Sequence, residues 1–303
     1  MIYTITLNPA IDVSLHIRGG LKPGVINKSF GMKTDPGGKG INVSKILKVM
    51  GKESEVCVGV CGEDGERLIS MLQEDFEVFC IRYPSGNTRT NIKLSSENGI
   101  TTDINGDGPS YDRDSVEGLR SLIMEKLSCG DIVVLSGSPP SGSPSGLYAD
   151  LIRSFKSVDG VKVILDCAGS YLAEGVEAGP YAVKPTCEEL GIACDRISAM
   201  EAAAKVISGG IEYCLISMGE NGAVFASSSC EPIYSEAIDV NVVCSTGCGD
   251  AMTAGLAYAL DNKMSSKDAF RLCMALASAE AETEGTGVPS KERIMELYDN
   301  IPL

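Results

Sequence analysis

Short apolar runs alternate with helical patterns along most of the chain, and that alternation limits its architecture more than any other feature. Val56–Val60 is apolar throughout, as a parallel strand covered on both faces must be. Further strands are predicted at Tyr3–Leu7 (stopped by Asn8-Pro9), Ile132–Leu135, Val161–Leu165, Tyr181–Val183 and Cys214–Ser217. In Gly40–Met50, the residues Ile41, Ser44, Ile46, Leu47 and Met50 fall on one helical face. Helices are also predicted at Gly65–Asp75, Asp112–Leu127, Ser145–Ser157 and Ala199–Ser208, with a helical tail at Asp250–Leu260, Ser266–Glu282 and Ser290–Tyr298. Repeated strand–helix alternation implies an α/β fold, a mostly parallel central sheet with helices on both faces. Two stretches break the rhythm. Val13–Phe30 and Thr88–Ile104 alternate in polarity with no helix following, so small antiparallel lid strands are expected from about 13–30 and 88–104. No repeat, linker or low-complexity tract divides residues 1–303, and a single domain is expected.

Charge and cysteine usage narrow the function. With 26 Lys+Arg against 41 Asp+Glu, the net charge is −15. A broad basic face for nucleic acid or anionic membrane is therefore not expected, although a few local cations suffice for an anionic small molecule. No apolar run approaches the ~20 residues of a membrane span, and the N-terminus reads as a strand, not a signal peptide. The 12 cysteines include no CxxC, and a single His (His16) makes a zinc site unlike this sequence. Small buried thiols in a reducing, cytoplasmic setting are the simpler reading.

Three segments carry chemistry. In Val242-Val243-Cys244-Ser245-Thr246-Gly247-Cys248-Gly249-Asp250, an apolar strand is expected to lead to two glycines and a helix start. Backbone N–H groups can converge on an anion there, with Asp250 poised to accept a hydroxyl proton; a plain tight turn capped by Asp250 is the blander alternative. Asp35-Pro36-Gly37-Gly38-Lys39-Gly40-Ile41-Asn42-Val43 describes a second glycine nest with a cation. In Thr88-Arg89-Thr90-Asn91-Ile92-Lys93, a strand turns Arg89, Asn91 and Lys93 to one face, which suits a phosphate or a charged, solvated edge. Ser217-Met218-Gly219-Glu220-Asn221-Gly222, Lys184-Pro185-Thr186 and Asn8-Pro9-Ala10-Ile11-Asp12 each lie just past a predicted parallel strand.

Taken together with Ser136-Gly137-Ser138-Pro139-Pro140, the order and spacing of these motifs resemble the PfkB, or ribokinase-like, sugar kinases over nearly the whole chain. Thr6-Leu7-Asn8-Pro9-Ala10-Ile11-Asp12, Gly37–Val43 and Thr88–Lys93 are most similar to the branch acting on fructose 1-phosphate and tagatose 6-phosphate. The resemblance implies ATP-dependent phosphorylation of a ketohexose monophosphate. It makes Asp250 the catalytic base and the N–H groups of Gly247, Cys248 and Gly249 an anion hole. It assigns Asp12, Asn42 and Gly38 to sugar hydroxyls, Lys39, Arg89 and Lys93 to the substrate's phosphate, and Ser138 to the substrate's vicinity. Lys184, Thr186, Ser217, Gly219 and Gly222, with Gly247 and Gly249, fall on the ATP side. Glu189 matches the acidic end of a Mg²⁺-associated Asn-x-x-Glu motif, in which Thr186 stands where Asn is usual; Ser138 lacks the following Leu of the family pattern. Relatives often bind K⁺ near the anion hole, and a homodimer joined through the lid is a further expectation. A methyltransferase also uses strand–Gly-x-Gly–helix, but too little chain follows Asp250 to complete its sheet. A non-catalytic sugar-phosphate sensor of the same fold is disfavoured by the intact Asp250.

Overall fold

The computed structural model describes residues 1–97, 100–283 and 287–302. Ile2–Thr6 (β1) runs into a first excursion, Ala10–Ile17 (β2) and Ser29–Gly37 (β3), before Lys39–Val49 (α1). Glu55–Val60 (β4), Gly62–Gln73 (α2) and Glu77–Arg82 (β5) lead to a second, Arg89–Ser96 (β6) and Thr101–Asn105 (β7). The alternation resumes with Arg113–Lys126 (α3), Ile132–Ser136 (β8), Leu147–Lys156 (α4), Lys162–Asp166 (β9) and Ser170–Glu177 (α5). Ala182–Val183 (β10), Cys187–Leu190 (α6), Arg196–Ser208 (α7) and Tyr213–Ser217 (β11) follow, then the hairpin Ala223–Ser227 (β12) and Cys230–Ser235 (β13). Three helices close the chain: Cys248–Asp261 (α8), Ser266–Ala281 (α9) and Lys291–Asn300 (α10).

Among the described residues, the main sheet has the order β13-β12-β11-β10-β9-β8-β1-β4-β5. Its strands pair in parallel from β5 to β11, and β12 and β13 add an antiparallel edge. Both faces are apolar, and successive side chains feed opposite cores. Tyr3, Ile5, Val133, Leu135, Val163 and Leu165 pack against α3, α4, α5 and α7. Ile2, Ile132, Val134 and Ile164 pack against α1, α8, α9 and α10. From β1 the chain proceeds to β4 on one side and later to β8 on the other. That reversal leaves a crevice beyond the carboxyl ends of β1 and β8, where ligands bind in open α/β sheets. Among the described residues, no helix is long and apolar enough to cross a membrane.

The lid is a second sheet of order β3-β2-β6-β7. It corrects three expectations. The first excursion starts at Ala10, and its return strand runs to Gly37, so Asp35-Pro36-Gly37 ends a strand instead of forming a loop nest. β2 and β6 pair in parallel, not antiparallel. Each excursion is its own hairpin, and the two inner strands leave the main sheet in the same direction. Residues 98 and 99 of the expected 88–104 stretch lie outside the described residues. β5, α5, α6, β12 and β13 were not read from the sequence. β5 and β13 are the partly exposed edge strands, where the apolar pattern is weak, whereas β12 is buried but short and has no helix after it.

Candidate active site

A cleft of about 930 Å³ opens at the crevice beyond the parallel strands. Gly38, Lys39, Asn42, Arg89, Lys184, Thr186, Ser217, Gly219, Gly222 and Gly247–Asp250 all line it. A hollow of about 170 Å³ under the lid shares Asn91 and Thr246 with the cleft and adds Asp12 and Lys93. Tertiary structure thus gathers residues more than 200 positions apart.

At one end, α8 presents its N-terminus to the cleft. Gly247, at φ 92°, is the N-cap and makes no side-chain cap, and the Cys248 N–H donates to Ser245 O at a long 3.4 Å, so the first turn of α8 opens toward the cleft with its N–H groups weakly engaged at most. Asp250 sits in the first turn, buried, and Asn42 Nδ2 donates to its Oδ2 at 2.8 Å. Burial, then the nearby Asp166 carboxylate, pushes Asp250 up to about 6, against the pull of Lys39, Asn42 and Lys184. The strand expected before Gly247 is absent from the described structure. Val242 and Val243 are exposed, and the N–H groups of Val243 and Cys244 donate to Ala281 O at 2.8 and 3.1 Å. This segment serves the unfilled carbonyls at the end of α9 instead of a sheet.

Below the cleft lies a buried ion cluster that the sequence reading did not find. Asp166, fully buried at the end of β9, accepts from Lys39 Nζ at 2.9 Å and from Thr253 Oγ1 at 2.9 Å, with Lys184 Nζ at 3.4 Å. Burial raises its carboxyl, but Lys184 and Lys39 outweigh that and hold it below the ordinary range. Burial alone would lower Lys39; Asp166 and Asp250 reverse the sign and raise it. Lys39, expected to bind the substrate's phosphate, is therefore an ammonium paired with Asp166 at the Asp250 end of the cleft, which it also lines. An acid directly after the apolar run Val161–Leu165 was the available signal, since it marks the carboxyl end of a parallel strand.

At the lid end, the parallel register sets Ala10 beside Arg89, Asp12 beside Asn91 and Ser14 beside Lys93. Asn91 Nδ2 donates to Asp12 Oδ1 at 2.8 Å. Burial raises the Asp12 carboxyl, opposed first by that bond. A methyl group on Gly37 would lie 2.1 Å from Asp12 Oδ2, so the glycine makes room for the carboxylate. Arg89 Nη2 donates to Asn8 O at 3.0 Å, while its buried Nε has no partner among the described residues. Burial lowers Arg89, opposed by Asp12. The buried Oδ1 atoms of Asn42 and Asn91 are also unpartnered, three polar atoms left for a hydroxylated ligand. Lys93 Nζ donates to Thr246 Oγ1 at 2.8 Å, strapping the lid to the loop before α8.

Two predicted residues, Ser138 and Glu189, line neither the cleft nor the hollow. Ser138 is exposed. Thr186 and Glu189 form a capping box on α6: Glu189 N donates to Thr186 Oγ1 at 3.1 Å, and Thr186 N to Glu189 Oε2 at 2.9 Å. The Thr-x-x-Glu spacing is that box's own signature and explains why Thr can stand at a helix N-cap.

The pfkB carbohydrate kinase family model matches residues 1–293. This chain belongs to the pfkB family. The kinase is 33% identical to the 1-phosphofructokinase of Bacillus subtilis (strain 168), over 99% of this chain and 98% of that one. Among solved structures it is similar to Escherichia coli phosphofructokinase-2 in complex with potassium, with TM-score 0.91, 25% identity and 98% of each chain covered. It is also similar to a possible 1-phosphofructokinase from Thermotoga maritima, with TM-score 0.84, 25% identity and coverage of 100% of this chain and 98% of that one. The fold is ribokinase-like, and the protein is an ATP-dependent sugar kinase.

The ion cluster makes a stability prediction. Asp166→Asn leaves the buried Lys184 ammonium and Lys39 without their counter-charge. Loss of one partner of a buried pair costs about 3–5 kcal/mol, which urea denaturation followed by circular dichroism should register. An unchanged unfolding midpoint would mean the cluster does not hold these elements together.

Proposed function

We propose that this pfkB kinase transfers the γ-phosphoryl group of ATP to fructose 1-phosphate, yielding fructose 1,6-bisphosphate. The observation that carries the reading is Asp250, oriented by Asn42 at the open N-terminus of α8, with Arg89 across the cleft at the lid. Asp250 accepts the proton of the attacking hydroxyl. The N–H groups of Gly247, Cys248 and Gly249 face the charge that accumulates on the transferred phosphoryl oxygens. Lys39 serves that same end, and Arg89 holds the substrate's existing phosphate, with Lys93 beside it under the lid. Asp12, Asn42 and Gly38 take the sugar hydroxyls. Lys184, Thr186, Ser217, Gly219 and Gly222 belong to the nucleotide side.

The donor set suits Mg²⁺ carried on ATP. Among the described residues no group of three His, Cys, Asp or Glu could hold a metal unaided, and Mg²⁺ commonly uses one or two carboxylates with substrate phosphates. Glu189 would supply a carboxylate, and bound Mg²⁺ would neutralise phosphate charge. K⁺ near the anion hole belongs to the same reading, supported by the potassium complex of E. coli phosphofructokinase-2. One kinase domain over residues 1–303 and a cytoplasmic location complete it; the 12 cysteines, none of them in a disulfide among the described residues, favour a reducing compartment. The lid supports a homodimer. Its register sends Asp12, Asn91 and Lys93 to one face and Val13, Leu15, Met32, Ile92 and Ile104 to the other. Met32 is 72% and Ile104 52% exposed, an apolar face suited to a second copy. Another form of E. coli phosphofructokinase-2 is tetrameric.

Fructose 6-phosphate is the second reading, favoured by the complex of E. coli phosphofructokinase-2 with that sugar. Coupled ADP release with fructose 1-phosphate, fructose 6-phosphate, tagatose 6-phosphate and free fructose separates them. Fructose 1-phosphate should have the highest kcat/KM, and turnover of free fructose alone would sink the phosphate site. Asp250→Asn should lower kcat by about 10²–10⁴ with little change in either KM. Wild-type kcat should fall as pH drops below about 6, because Asp250 then gains the proton it must accept. Normal turnover in Asp250→Asn removes it as the base. Arg89→Ala should raise KM for the phosphosugar about ten- to a hundredfold and leave KM for ATP in place. A rise confined to ATP would move Arg89 out of the sugar site.

A further inference from the structure

Glu280 lies beside the transfer centre, yet the reaction as drawn gives it no task. It sits in the last turn of α9, 4% exposed, and its Oε2 has no hydrogen-bond partner among the described residues. A methyl group on Gly247 would come within 2.6 Å of Glu280 Oε1 and 3.3 Å of its Cδ. The carboxyl therefore backs directly onto the glycine that opens the anion hole. A buried carboxyl with one oxygen unpartnered is an expensive arrangement, and it is cheaper neutral than charged. A negative charge there would also oppose the N–H dipoles aimed at the phosphoryl group.

We propose that Glu280 is a positioning residue for phosphoryl transfer: as a neutral acid it backs Gly247 and leaves the anion hole's dipoles unopposed, and as a carboxylate it cancels them. This rests on reading Gly247–Asp250 as the transfer site. Three groups face it from the packed elements: Asp250 and Cys248 on α8, and Lys45 on α1. Burial first, and then Asp250, pushes Glu280 up to about 8, while Lys45 pulls it down. Lys45 Nζ is engaged by Pro36 O at 2.6 Å and makes no ion pair with Glu280 among the described residues. The proton, not a salt bridge, is what keeps this site neutral near pH 7.

The test is the pH dependence of kcat with whichever phosphosugar turns over, at one fixed K⁺ concentration. Wild-type kcat should fall above a midpoint near 8, roughly tenfold between pH 7 and pH 9 for a single ionisation. Glu280→Gln cannot ionise and should hold its kcat over that interval. Lys45→Met removes the facing cation, favours the neutral acid and should move the alkaline limb to higher pH; it tests the inference independently if Glu280→Gln fails to fold. An alkaline limb identical in wild type and Glu280→Gln, or one unmoved in Lys45→Met, overturns the role of Glu280. Either outcome leaves the kinase reading intact, whereas normal turnover in Asp250→Asn would overturn the transfer site itself.

Discussion

The buried carboxylate of Asp166 is the interaction on which the rest of the site depends. It draws Lys39 from α1, Lys184 from the end of β10 and Thr253 from α8 onto one fully buried group at the end of β9. An unpaired charge in that position would cost several kcal/mol, so these elements must converge or the fold does not close. Their convergence fixes the floor of the cleft. It sets α1 against α8 closely enough for Asn42 to reach Asp250 across 208 positions of sequence.

The same cluster tunes the chemistry above it. Burial, then Asp166, pushes the Asp250 carboxyl up, Lys39 and Lys184 restrain it, and the balance leaves a buried carboxyl that titrates near 6. Two carboxylates and two ammonium groups held together this way are a preorganised field. In the proposed transfer its worth would lie in needing no reorganisation when the phosphoryl charge shifts. The lid answers at the far end with a different device. Strand pairing sends polar residues to the cleft face and apolar ones outward, so one short sheet presents a polar wall to the cleft and an exposed apolar surface on its other side.

Much of the fold was readable because its physics is local. The all-apolar Val56–Val60 and the face Ile41–Met50 appear as the covered strand β4 and as α1, shifted by about a residue. β12 and β13 escaped because an antiparallel hairpin at a sheet edge carries no helix after it. Val242–Val243 misled for the opposite reason. Its residues have strand character, but the carbonyls at the end of α9 compete for their N–H groups and win. Arg89, Asn91 and Lys93 do share a face, yet each already has a neighbour: Asn8, Asp12 and Thr246.

The sequence by itself determined the alternating strand and helix segments, the glycines that leave the start of α8 uncapped, and the side chains that give the chain its chemistry. Each follows from local backbone freedom and apolar periodicity. Tertiary structure alone decided that Lys39 spends its charge on Asp166, that Asp250 is raised toward neutrality, and that Glu280 comes to rest behind Gly247. Those outcomes come from desolvation and Coulomb interaction between groups far apart in sequence. Such forces have no magnitude until packing sets the distances and excludes the water.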